Sequence, residues 1–432
     1  MLKKNSLLLL PFLLFSTDIK IASYNVENLF DMTYNGNEYK EYIPNTHNWT
    51  DKNFKKKLLN ISEVICELNA DIIALQEVEN RNVLKKLQKS LKRIGCIYTH
   101  LAITHKQKSA IQVAILSRFP IQSSKEIVVK RALGYRNILE VKYLFDKTPF
   151  YIYVNHWKSK RSKESRRIIS AKVLKKRLLA LPKESEYILL GDFNSDYDEY
   201  LYKKSKHNDT HGKTGLNHTL KTITQKDKLV RKFMVKKDSF MHYNLWLELS
   251  NYKRWSHNFY GKKQALDAML LPPTLFDGKG IDYVDNSFSV LKKNYLFHKK
   301  GYIFRWEYKN KKHRGNGYSD HLPIVATFST IERFHKESIQ PKEALIDKIY
   351  SKNPIFPLLL KKIKIMEKEK NKVIISQKNS KKTVVIYGTK KAFILNKEYD
   401  IMVYKRKFYK GNYEIIDFEI EKRYDSKNLK KE

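Results

Sequence analysis

Along the first three-quarters of the chain, the apolar positions switch repeatedly between two periods. Short runs that are apolar throughout, or apolar at every second position, predict strands at residues 19–24, 71–76, 111–116, 138–143, 150–155, 188–190, 268–271 and 322–328. Between them, residues 54–68 and 163–181 carry apolar side chains at helical spacing, the second with Lys and Arg along its other side. Residues 196–237 are polar, with repeated His, Lys and Thr, and predict an excursion from this core. Strands alternating with helices imply an α/β domain. The pattern changes after Ile331, where Pro341, Pro354 and Pro357 mark a linker over 331–370 that includes a short helix. Strand-like runs at 372–376, 383–387, 392–395, 399–404 and 413–420 then predict a small β-rich domain over 371–432, with an OB-like barrel as one candidate.

The N-terminus changes the expected location. Met1-Leu2-Lys3-Lys4 precedes an apolar run from Leu7 to Phe15, which describes a secretory signal over 1–16 and is too short to span a bilayer. Leu14 is large for the −3 position of a cut after Ser16, so an uncleaved anchor is the alternative. The chain is expected to be exported, periplasmic or extracellular, with no membrane span in its mature form. Charge points to a partner. Lys+Arg 85 against Asp+Glu 45 gives +40 and favours a polyanion, meaning nucleic acid or an anionic membrane surface. Hydrophobic residues at 42% are ample for a core and exclude a generally disordered chain. Cys66 and Cys96, the only cysteines, exclude a disulfide framework and a Cys-based metal site. Cys66 reads as a buried free thiol or as the partner of Cys96, and the residues leave that open. In the tail, Tyr404-Lys-Arg-Lys-Phe-Tyr409 suits a phosphate backbone with stacked bases and suits a solvated basic face equally well.

The chemistry gathers at strand ends. Asn25 ends the first strand, Gln76-Glu77 the second, and Asn155-His156 the strand at 150–155. Gly191-Asp192-Phe193-Asn194 follows 188–190, Asp267 precedes 268–271, and Ser319-Asp320-His321 precedes 322–328. A single strand-end carboxylate is usually a cap or turn anchor. Six apolar strands flanked by Asn, Glu, His or Asp need another explanation. Oxygen ligands without Cys favour a hard cation, and two histidines among carboxylates supply acid/base groups near neutral pH.

These pieces, in this order, resemble the endonuclease/exonuclease/phosphatase superfamily with its DNase I-like fold. They are Ser23-Tyr-Asn25-Val-Glu-Asn28, Leu75-Gln-Glu77-Val, Asn155-His156-Trp-Lys158-Ser, Gly191-Asp-Phe-Asn194, Leu266-Asp267-Ala and Tyr318-Ser-Asp320-His321-Leu-Pro323, and they span about 19–328. The resemblance implies a four-layer α/β/β/α sandwich of two packed mixed sheets over 17–330, and metal-dependent hydrolysis of a phosphate ester. It implies Glu77 as the central metal ligand with Asn25 and Asp320, for Mg²⁺, with Mn²⁺ or Ca²⁺ as alternatives. Asp192 would orient or deprotonate the attacking water beside Asn194. His321 would bind the phosphate, oriented by Asp267, and His156 would serve as a general acid for the leaving oxygen. Arg136 and Lys158 would contact phosphate. The family's nucleases often carry an acid that pairs with the second histidine, whereas residues 108–113 hold none, leaving Gln112 or another group to orient His156.

The function expected is an exported nuclease acting on DNA, with RNA as an alternative substrate. The wording Asn155-His-Trp-Lys-Ser resembles bacterial extracellular nucleases of the superfamily. A sphingomyelinase-like lipid phosphodiesterase is the second reading, and it calls for an exposed aromatic hairpin that the sequence does not display; Trp246 and Trp255 read as core. A phosphosugar or inositide phosphatase is the third. A non-enzymatic nucleic-acid-binding protein would lack one of Glu77, Asp192, Asp267 or His321, and all four are present.

Overall fold

The structure is a computed structural model that describes residues 18–201, 206–235, 239–331, 341–369, 371–387 and 393–424. The export signal expected over 1–16 lies outside the described residues. In chain order the first unit comprises β1 (Asp18–Leu29), α1 (Asp51–Leu68), β2 (Ile72–Val78), α2 (Arg81–Arg93), β3 (His100–Ile103), β4 (Gln112–Ser117), β5 (Ser123–Ile127), β6 (Ile138–Phe145) and β7 (Thr148–His156). It continues through α3 (Glu164–Leu179), β8 (Glu186–Asp192), β9 (Tyr243–Asn244), the hairpin β10 (His257–Phe259) and β11 (Lys262–Gln264), β12 (Asp267–Leu271), β13 (Asp282–Tyr283) and β14 (Ser289–Val290). A second hairpin, β15 (Tyr308–Lys309) and β16 (Lys312–His313), precedes β17 (Ile324–Ser329).

Two mixed sheets form. One runs β13-β17-β1-β2-β4-β3 with β14 on β17, the other β5-β6-β7-β8-β12-β9. In each, one central pair is parallel, β1 with β2 and β7 with β8. Side chains alternate across a strand, and that alternation sorts the layers. Ile19, Ile21, Ile72 and Ala74 join the core shared with the second sheet, while Ala22, Tyr24, Ile73 and Leu75 pack with α1 and α2. The helix α3 covers the second sheet through Ala171, Leu174 and Leu178. The result is the α/β/β/α sandwich. The helix α1 starts at Thr50, whose hydroxyl caps the Asn53 amide, and stops at Asn69 in the left-handed conformation. A disulfide joins Cys66 on α1 to Cys96 just beyond α2, so the pairing the residues left open is made.

The tail enters its sheet earlier than the prolines suggest. Within the expected 331–370 linker lie β18 (Lys342–Glu343), a short 3-10 turn at Ile346–Tyr350 and the long strand β19 (Leu358–Lys368). A bulge between Leu360 and Ile363 breaks the period-2 pattern of β19 and hides it from a periodicity reading. Then follow β20 (Lys372–Gln377), β21 (Val384–Tyr387), β22 (Glu398–Tyr409) and β23 (Asn412–Tyr424). The strand expected at 392–395 is not formed over its described part. There Phe393 is buried against Tyr399 and Phe418, and the Ile394 amide donates to the Tyr399 hydroxyl, so the segment fills the interior instead of pairing. The order β19-β20-β21-β23-β22 closes through β19–β22, with β21 and β23 parallel, giving a five-stranded closed barrel of OB-like topology.

The barrel meets the first unit through buried ion pairs. Asp417 on β23 binds Arg231 at 3.1 Å and Arg254 at 2.8 Å, Glu419 binds Arg231 at 3.2 Å, and the Arg231 guanidinium lies 3.6 Å from the Tyr404 ring centroid. Lys228 pairs with Glu421 beside them.

Candidate active site

Register assembles the mouth. The Cα pairings Asn25↔Gln76, His156↔Asp192 and Asp192↔Asp267 bring the ends of β1, β2, β7, β8 and β12 together, and His321 bridges to His257 from the turn before β17. Two backbone features aim the side chains. Glu77 is a bulge residue at φ 67, held where its second oxygen accepts the Asn28 amide at 2.9 Å. Gly191, at φ 127, passes so close to β7 that a Cβ there would stand 2.1 Å from the Asn155 carbonyl oxygen.

The Asn25 amide nitrogen donates to Glu77 at 3.2 Å and to Asp192 at 3.1 Å. Asp192 also accepts the Asn194 backbone amide at 2.8 Å and the Asn194 side chain at 3.1 Å. His156 Nε2 faces Asp192 at 3.5 Å and Glu77 at 3.7 Å. Ser256 donates to Asp267 at 2.6 Å, and the same carboxylate oxygen lies 2.8 Å from His321 Nδ1, leaving Nε2 4.0 Å from Asp192 and from Asp320. Asp320 lies 3.3 Å from Arg305 and 3.9 Å from His257. Arg136 donates to the Trp157 carbonyl at 3.1 Å, and its charge bears on Glu77 and, with that of Lys158, on His156.

Burial and charge then set the protonation states. Burial pushes Asp192 up to about 7 against the attraction of His321. Burial raises Glu77 as well, and the neighbouring Asp320 raises it further. His321 is driven well above its ordinary value: burial opposes this, but Asp267 and its hydrogen bond, with Asp192 and Asp320, overcome it. His156 goes the other way, lowered by burial and then by Arg136, His321 and Lys158. Its Nδ1 is buried without a hydrogen-bond partner among the described residues. Gln112 does not orient it, because the Gln112 side chain is taken by Thr104, Lys106 and Ser109.

Three participants escaped the sequence reading. Glu27, in a quoted segment but given no role, is buried and pairs with Arg305. Arg305 bridges Glu27 to Asp320 from the long loop before β15. His257 lies beside His321, their rings tilted with centroids 4.7 Å apart. The fit to a hard cation rests on the donor chemistry. Glu77, Asp192 and Asp320 gather carboxylates in one mouth, where burial and then the charge of Asp320 raise Glu77, an arrangement that a divalent cation neutralises. Ligand atoms of Asp192, Asp267 and His321, and of His257, Asp320 and His321, lie within 4.8 Å of one another.

The two packed sheets and the acidic, histidine-lined mouth define a class, the phosphate-ester hydrolases of the endonuclease/exonuclease/phosphatase type. Residues 20–330 match the model of the endonuclease/exonuclease/phosphatase family. The chain belongs to that family. No curated protein matches the chain. Similar solved structures include D. rerio TDP2 complexed with single-strand DNA product (14% identity, TM-score 0.45, covering 72% of this chain and 99% of that one). TDP2 from C. elegans is similar at 14% identity and TM-score 0.43, covering 72% and 75%. A family protein from Leptotrichia buccalis C-1013-b matches at 17% identity and TM-score 0.41, covering 71% and 98%.

Proposed function

We propose that this hydrolase is an exported, divalent-metal-dependent nuclease that cleaves phosphodiester bonds of DNA. The observation that carries the reading is the 2.8 Å contact between Asp267 and His321, which aims an imidazole held well above its ordinary value into a mouth lined by Asp192 and Glu77. Asn25, Glu77 and Asp320 would hold the cation, Mg²⁺ first, with Mn²⁺ or Ca²⁺ as alternatives. When bound, it supplies positive charge to the phosphoryl oxygens. Asp192, fixed by the Asn25 and Asn194 amides, takes a proton from the water that attacks phosphorus as the bond to the leaving oxygen breaks. The cationic His321 stabilises the charge that develops on the phosphoryl oxygens. His156, whose Nε2 faces Asp192 at 3.5 Å and Glu77 at 3.7 Å, would give the leaving oxygen its proton. Arg136 and Lys158 flank it for the substrate's phosphates. The net charge of +40 supports a polyanionic substrate. The Cys66–Cys96 disulfide supports an oxidising compartment.

One observation favours the lipid reading. The hairpin of β10 and β11 lifts Phe259 and Tyr260 into solvent, Tyr260 being 91% exposed, starting two residues after His257. That is an exposed aromatic hairpin where the sequence showed none. No helix among the described residues is long and apolar enough to cross a membrane. Plasmid nicking with Mg²⁺, with and without EDTA, run beside sphingomyelin hydrolysis, decides between the two. Nicking that EDTA abolishes is expected, and cleavage of the lipid but not the plasmid rejects the nuclease.

A further inference from the structure

Beyond the mouth lies a cationic surface that the chemistry above does not use. Trp255, one residue before Ser256, carries Lys292 Nζ 3.9 Å and Lys263 Nζ 4.7 Å from its ring centroid. Lys292 also donates to the Lys253 carbonyl at 3.1 Å, and the Lys253 ammonium lies over the Tyr252 ring at 5.9 Å. Trp255 is itself buried, so Lys292 and Lys263, with Lys253 beside Tyr252, offer charge at this station and not an open aromatic face. Burial, and then the charges of Lys263 and Lys253, push the Lys292 ammonium down to about 7. Glu67, the carboxylate lining the adjoining cleft, is held by Lys293 at 2.7 Å. Like charges gathered this way repel one another, and an anion between them relieves the repulsion.

A second station starts at the next residue back along the chain. Tyr252 meets Tyr387 of the barrel with ring centroids 6.1 Å apart. Lys407, which also pairs with Glu414 at 2.9 Å, stands over three rings: Tyr409 at 4.5 Å, Tyr387 at 4.7 Å and Tyr252 at 5.5 Å. Tyr252 and Tyr409 remain 40% and 49% exposed, so their rings are open to a further partner. Aromatic faces beside ammonium groups take stacked bases and backbone phosphates together, and the faces of bases are free only in unpaired strands.

We propose that these two stations form one track for a single nucleic-acid strand, running from the mouth past Trp255 and its lysines to the seam between Tyr252 and the barrel. The proposal rests on the reading of the mouth as a nuclease site, and it deepens that reading by naming the strandedness of the substrate and its path. It is tested by binding without turnover. The full chain is titrated in EDTA with a fluorescent oligothymidylate of roughly 20 nucleotides, with the matching duplex, and with anionic phosphatidylserine vesicles, over a series of salt concentrations. Replacing Lys253, Lys263 and Lys292 together by Gln should lower the log–log salt slope for the single strand by about 2, at roughly 0.7 per phosphate contact. Tyr387→Ala with Tyr409→Ala should weaken single-strand binding about tenfold or more. Turnover of bis-(p-nitrophenyl) phosphate, too small to reach either station, should be unchanged in all of them. An unchanged salt slope, an equal loss on duplex, or binding to vesicles in preference to the oligonucleotide overturns the track. A wild type that binds the oligonucleotide through these residues but cleaves no phosphodiester overturns the nuclease reading and leaves the track standing.

Discussion

Asp267 and His321 share one short contact, and the protonation of the mouth depends on it. Asp267→Asn keeps an oxygen for the Ser256 hydroxyl but removes the charge that holds the imidazole protonated. We expect kcat on bis-(p-nitrophenyl) phosphate to fall by about 10²–10⁴ with an unchanged far-UV spectrum. Asp192→Ala and His321→Ala should fall at least as far, and full activity in either would refute the role given to it. Away from the mouth, His242 is buried between the Tyr187 hydroxyl and the Leu220 carbonyl, and burial lowers it to about 4. The unfolded chain takes up that proton near the ordinary value of 6.5, so the stability it contributes is full above about 6.5 and declines as pH falls toward about 4. His242→Gln should flatten this part of a denaturation-against-pH curve, and an unaltered slope would exclude His242 as its source. At this scale the sequence was legible wherever a polar residue ended an apolar run, as at Asn25, Glu77, His156 and Asp192. Arg305 and His257 had no such flag, because long-range folding of irregular loops, rather than strand pattern, brings them in.

At the scale of elements, the geometry of β2 and β8 does what composition cannot announce. That Glu77 follows Gln76 was plain. Its left-handed backbone, which turns the carboxylate into the mouth, depends on a bulge that no pattern of residue types records. Gly191 was legible as a turn residue, but its actual task is close approach to β7. Gly191→Ala should therefore cost about 3 kcal/mol or more, through backbone overlap and a disfavoured φ, and should lower activity beyond the loss of folded protein by shifting Asp192. Urea denaturation paired with turnover per folded molecule checks both, and a variant with wild-type stability would refute the clash. The strand β19 shows the reverse failure. Three prolines suggested a linker, while the Leu360–Ile363 bulge scrambled the alternation that would have identified a barrel strand.

For the whole molecule, charge has two distinct uses. Most of the +40 is surface Lys, but the junction with the barrel depends on a few buried acids. Removing Asp417 leaves the buried Arg254 guanidinium without its carboxylate and Arg231 with Glu419 alone. Asp417→Ala should destabilise the junction by about 3–5 kcal/mol, and calorimetry should then resolve two transitions in place of a single joint one. One coincident transition would mean that the pairing carries little. The sequence signalled a basic tail. It could not signal that the tail's acidic residues do the fastening, since Asp417 and Glu419 read as ordinary outward positions of a strand.

Arg254 is two residues ahead of Ser256, the donor to Asp267, and three ahead of His257. The barrel thus works as a backstop: the segment that steadies the Asp267–His321 pair is anchored at its upstream end by a carboxylate from the barrel. A change in how the barrel seats would be transmitted along two peptide units to Ser256 and through its hydrogen bond to Asp267, with no substrate spanning the gap. Slower turnover of bis-(p-nitrophenyl) phosphate by Asp417→Ala, a compound that never reaches the barrel, would register that transmission directly. On this view the sandwich does not stand free of the barrel, and grafting it elsewhere would require a substitute for the grip on Arg254.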